Sequence, residues 1–133
     1  MPTPEHLSER TLGYMIHANR ELGLMLRGQK PLAMFADVHG CFPSVVLRYL
    51  RLFDRHVEQG ALTKRDYVEL DRGRFGTHVI LYAIPGEDWR IEAMQDLRWR
   101  TGWTEAHERV EGELLGYTDQ QNDLWLARLD TPG

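Results

Sequence analysis

One cysteine, Cys41, stands in 133 residues, so the chain cannot close an internal disulfide and has no disulfide framework. A lone thiol fits a reducing compartment, and the reading is a cytoplasmic protein. Serine is almost missing as well. Only Ser8 and Ser44 occur, with no GxSxG, which argues against serine-nucleophile chemistry. Neither GxxxxGK[ST] nor GxGxxG appears, which removes the two common phosphate-cradling signatures. The longest apolar runs, such as Val79 to Ile84, are far too short to cross a bilayer. The polar opening MPTPEHLSER lacks the apolar core of a signal peptide, and none is expected. There is no internal repeat, low-complexity tract or linker, so residues 1–133 read as one domain.

What remains is ordinary for a globular chain: 42% hydrophobic and 27% charged residues, enough for one core without a staple. Charge is uneven. Residues 1–66 carry nine Lys+Arg against seven Asp+Glu, while residues 67–133 carry seven against thirteen. The acidic second half argues against binding a phosphate backbone there and suits a basic partner or a solvated face.

Apolar spacing predicts a helix over Ser8–Leu26, a strand over Leu32–Asp37, and a helix over Pro43–Gln59 facing inward with Val46, Tyr49, Leu50, Phe53 and Val57. Strands at Tyr67–Asp71 and Thr77–Ile84 form a hairpin across Arg72–Gly76. The second is apolar on both faces and therefore central. A helix over Gly86–Arg100 has Glu87 and Asp88 in its first turn and a stripe of Trp89, Ala93, Met94 and Leu97. Thr104 caps a fourth helix, through Leu115. Thr118 caps a fifth, with Gln121 in the capping-box position and Trp125 and Leu129 as anchors. The order α-β-α-β-β-α-α-α defines an α+β fold, a small three-stranded, partly antiparallel sheet packed by about five helices.

Chemistry-bearing residues concentrate at Asp37-Val38-His39-Gly40-Cys41. A strand ending in Asp-x-His-Gly resembles the first metal-binding motif of the calcineurin-like metallophosphoesterases. That resemblance implies metal ligation by Asp37 and His39 and hydrolysis of a phosphoester. The family's later Gly-Asp, Gly-Asn-His and Gly-His-x-His motifs do not follow. The plainer reading makes Asp37 an acceptor of backbone N–H groups in a turn and Cys41 a small buried hydrophobe. A His39/Cys41 thiolate pair is the remaining catalytic option. The six histidines, His6, His17, His39, His56, His78 and His107, include no i, i+4 helical pair. No cofactor is implied.

Recognition residues are more numerous. Arg48, Arg51 and Arg55 fall within about 60° of helical arc, opposite the inward face. With Lys64, Arg65, Arg72 and Arg74 they would make one basic surface if the hairpin lay beside that helix. Such a surface could meet nucleic acid or an acidic protein, or be an ordinary solvated helix face, and no RNP, homeodomain or zinc-finger signature supports nucleic acid. Trp99 falls on the polar side of its helix and Trp103 in a connection. They are interface anchors, or are covered by the last two helices. Tyr117, Asp119, Asp123 and Trp125 form an acidic–aromatic segment suited to a basic protein. These features favour a small protein-binding module, a regulator, inhibitor or immunity-type protein, over the Asp37/His39 hydrolase and over nucleic-acid binding. No membrane partner is expected, and a homodimer is admitted.

Overall fold

The computed structural model describes residues 20–70, 76–99 and 104–129. The described elements run α1 (Glu21–Leu26), β1 (Leu32–Val38), α2 (Ser44–Glu58), β2 (Thr63–Leu70), β3 (Gly76–Ala83), α3 (Trp89–Arg98), α4 (Glu105–Leu114) and α5 (Asp119–Leu129). This is the expected α-β-α-β-β-α-α-α order. The predicted first helix is described only in its last turns. The hairpin turn, with Arg72 and Arg74, and Trp103 lie outside the described residues, as does the side chain of Leu129.

The sheet order is β1-β3-β2 and both pairings are antiparallel. The apolar strand is central, as its sequence demands. Alternation then splits its side chains between two layers. Val79, Leu81 and Ala83 join Leu32 under Ile91, Met94 and Leu97 of α3 and Leu114 of α4. Ile80 and Tyr82 join Ala33, Met25 and Leu62 under Leu50 and Phe53 of α2. Phe53 sits 4.5 Å from Tyr82, 5.3 Å from Phe35 and 5.1 Å from Tyr49, ring to ring.

Three expectations need correction. β2 begins at Thr63, not Tyr67. Its first half, Thr63-Lys64-Arg65-Asp66, is polar on both faces because β2 is an edge strand, and charged side chains there also discourage pairing with another chain. α3 begins at Trp89 rather than Gly86, because Gly86 (φ +86°) makes a turn closed by Glu87 N donating to Ile84 O at 3.0 Å. Trp89 itself is 55% exposed, and Ile91 takes the buried place. The inward face of α3 is the 91/94/97 set, which an argument favouring the larger side chain misassigns. Both caps form as read, and at Thr104 the structure adds a capping box with His107 that the sequence reading did not foresee. Thr104 N donates to His107 Nδ1 at 3.0 Å, and Thr118 N donates to Gln121 Oε1 at 2.8 Å.

Between α1 and β1, Lys30 is only 2% exposed. Its Nζ donates to Leu115 O at 2.6 Å and lies 5.1 Å from the Tyr117 ring centre. Burial pulls its pKa from 10.5 to about 7, against a smaller upward pull from Glu21. Below about pH 7 the amine is protonated folded and unfolded, and the fold carries the full cost of burying the charge. Above that, up to about 10.5, the unfolded chain holds a proton the folded chain has lost, so stability rises with pH. The tyrosines reverse the trend. Burial raises Tyr49 and Tyr67 to about 12 and pushes Tyr82 and Tyr117 higher still. Unfolded tyrosines therefore ionise first, and stability falls above about pH 10. Urea midpoints should climb from pH 7 towards 10 and then drop, with Lys30→Met flattening the climb. An unchanged climb in that variant removes Lys30 as its source.

Candidate functional site

α3 and α4 leave an open groove of about 520 Å³ between them. Its walls are Trp89, Ala93 and Leu97 on α3 and Ala106, Val110 and Leu114 on α4, with Asp96 and His107 as polar lining. The volume falls in the range of ligand-sized clefts. Small Ala93 and Ala106 lie in the groove's walls among larger side chains and leave part of its space unfilled. Trp89 is exposed, and Arg90 stacks on its ring at 4.6 Å from the centre. That arginine is held in place: Nε donates to Glu87 Oε2 at 2.7 Å, and Nη1 donates to the Glu113 and Leu114 carbonyls at 3.1 Å. Glu92, Asp96, Glu105 and Glu113 are exposed on these two helices, so their outer surface is acidic.

On the far side of the sheet, α2 turns Arg48, Arg51 and Arg55 to solvent, where their spacing placed them. The sequence reading missed what lies between them. Val45 is 63% exposed, Leu47 45% and Leu52 44%. The helix is apolar on its inner face and mixed basic and apolar on its outer one. Among the described residues, Lys64 and Arg65 of the hairpin do not extend this basic stripe. Lys64 faces α2 but pairs with Asp54 at 2.9 Å, while Arg65 points to the other side of the sheet, near Glu92 and Gln95 of α3. Adjacent strand residues point to opposite faces, so the two cations are separated by the sheet itself.

The Asp37–Cys41 segment ends β1 and enters α2. Asp37 is the cross-strand partner of His78, and its Oδ1 accepts from Val38 N at 2.7 Å, a backbone N–H as expected, although both residues belong to β1 rather than to the turn. His39 meets His78 edge to face with ring centres 5.6 Å apart, and Asp66 Oδ2 lies 2.9 Å from His78 Nε2. The His78–Asp66 pair was invisible in sequence, because it forms across β2 and β3. Among the described residues, no three of His, Cys, Asp and Glu come together so as to hold a metal ion. The geometry thus adds no support to the Asp37/His39 hydrolase. Cys41 is exposed, which corrects its reading as a buried hydrophobe, since it sits in the turn after Gly40 rather than on either packed face.

The acidic–aromatic segment is drawn inward instead. Tyr117 and Trp125 are half-buried, with Trp125 Nε1 donating to Glu108 Oε2 at 3.1 Å. Both line a cavity of about 80 Å³ that also contains Glu111 and Asn122. Burial, and then Glu108, raises the Glu111 pKa, with Arg98 opposing. Asp123 is bound by Arg109, and Asp119 is exposed in the first turn of α5. Trp99 caps α3 and is 63% exposed, on the polar side where the helical angle put it.

No helix among the described residues is long and apolar enough to cross a membrane. No family model matches the chain, and no curated protein or solved structure matches it.

Proposed function

We propose that this chain is a protein-binding module acting by surface contact, and that the α3–α4 groove receives a basic amphipathic helix from a protein partner. The observation that carries the reading is the open apolar groove with Trp89 exposed at its wall. A groove lined by aliphatic side chains takes the apolar stripe of a helix, with anchors at i, i+3 or i+4, and i+7. The acidic outer surface of α3 and α4 favours arginine or lysine flanking that stripe. A role as regulator, inhibitor or immunity-type protein in the cytoplasm fits contact of this kind, and the exposed thiol of Cys41 suits a reducing compartment.

The test uses a fluorescently labelled helical peptide with leucines at i, i+4 and i+7 and arginines on both flanks. Anisotropy should report binding that weakens as salt is added. Trp89→Ala should weaken it roughly thirtyfold, the loss of about 2 kcal/mol typical of an aromatic anchor. A matched peptide with glutamate for arginine should not bind. Equal binding of both peptides, or of neither, sinks the proposal.

A further inference from the structure

We infer that the helix this groove receives is α2 of a second copy of the chain, so that copies join head to tail. This rests on the groove reading above and names its occupant. α2 offers the outer two anchors the groove asks for, Val45 and Leu52 at i and i+7, with Arg48 at i+3 and Tyr49, at i+4, turned to the core. It is 15 residues long, about 22 Å, and so spans the roughly 15 Å of the ten-residue walls α3 and α4. Its outer face carries Val45 and Leu52, seven residues apart on one side, with Arg48, Arg51 and Arg55 beside them and Leu47 beyond. These exposed apolar side chains flank the arginine stripe, Val45 and Leu52 on one side and Leu47 on the other, and among the described residues none belongs to the core, which α2 contacts through Leu50 and Phe53. Arginines interleaved with aliphatics match an apolar groove with Asp96 in its lining and Glu92 and Glu113 exposed on the same two helices.

The fold also dictates how such copies assemble. α2 packs on the Ile80/Tyr82 face of the sheet, while α3 and α4 pack on the Val79/Leu81 face. The two complementary surfaces therefore look in opposite directions and cannot meet within one molecule. A two-fold axis cannot bring both pairs together at once. The contact is heterologous and extends into a chain of copies unless the rotation closes a ring.

The experiment measures mass by light scattering on the full-length protein, up to about 0.5 mM at low salt, the range that reveals contacts in the micromolar to sub-millimolar class. The wild type should rise above the 15.5 kDa of one chain as concentration increases and return to it with added salt. Val110→Asp disables the groove, and an Arg51→Glu/Leu52→Asp double variant disables the helix. All three positions are exposed, and circular dichroism confirms that each variant folds. Each variant alone should be monomeric. Mixed in equal amounts they should form a one-to-one dimer that grows no further, because one intact groove meets one intact helix and the leftover surfaces are both disabled. A wild type that stays monomeric overturns the inference, as does a mixture that stays monomeric, or a single variant that associates as the wild type does. The peptide assay separates the failures: peptide binding without self-association leaves the groove reading standing and removes α2 as its occupant, and loss of both removes both.

Discussion

Phe53→Ala should lower the free energy of unfolding by about 3–5 kcal/mol, the usual loss for emptying a buried phenylalanine site. Phe53 is fully buried and is the ring on which Tyr82, Phe35 and Tyr49 converge. Domains of this size are stable by about 5–15 kcal/mol, so the variant stands near the edge of folding. The urea midpoint should fall steeply at constant m-value. Leu52→Ala on the opposite face of the same helix is the internal control, because Leu52 is 44% exposed and its loss should cost no more than about 0.5 kcal/mol. A Phe53→Ala loss below about 1 kcal/mol would mean that α2 does not pack on the sheet through this residue.

The second large effect inverts a general rule. Glycine inside a helix is ordinarily less stable than alanine by about 0.5–1 kcal/mol. Gly112→Ala should instead destabilise by about 1–3 kcal/mol, the range for overpacking. A Cβ at Gly112 would collide with Asn122 Oδ1 and lie 2.9 Å from its Cγ. Asn122 is 3% exposed, and among the described residues its Nδ2 finds no hydrogen-bond partner, so the side chain is confined without being held by a bond there. Removing the obstacle should restore the rule. Asn122→Ala/Gly112→Ala should be more stable than Gly112→Ala alone by more than 1 kcal/mol, a coupling that a double-mutant cycle in urea measures directly. If Gly112→Ala alone stabilises the protein, α4 and α5 do not approach closely at this point.

The contrast between those two residues shows where sequence reasoning works here. Phe53 was legible because it belongs to a 3.6-residue period running through Val46, Tyr49, Leu50 and Val57, and periodicity is a property of one element. The central place of β3 was legible because a strand covered on both faces has no polar alternation. Gly112 and Asn122 were not, because nothing local marks a glycine that makes room for a side chain ten residues on in the next helix. The His78–Asp66 pair has the same character, since register decides it. Trp89 misled because size was read as depth, when the first residue of a short helix can turn its ring outward. The groove followed from that error. Its walls lie on two helices and include Ala93 and Ala106, and small residues give no signal of the space they leave. The arginine stripe of α2 was read correctly, but Val45, Leu47 and Leu52 were passed over because isolated aliphatics draw attention only once the inner face has been counted.

The strand order has a kinetic side. Leu70 pairs with Gly76, so β2 and β3 meet across a short loop, whereas the nearest pair between β1 and β3 is Val38 with Thr77, with all of α2 and β2 between them. Closing the second loop costs more entropy and takes longer. Of the two strand pairings the hairpin's is therefore expected to close first, and the apolar central strand then has one side unpaired until β1 returns to it. During that interval the strand's two faces can be covered by its neighbours in sequence, α2 before the hairpin and α3 after it, which makes the arrival of Leu50 and Phe53 on one face and Ile91, Met94 and Leu97 on the other as much a guard against misassembly as a part of the finished core.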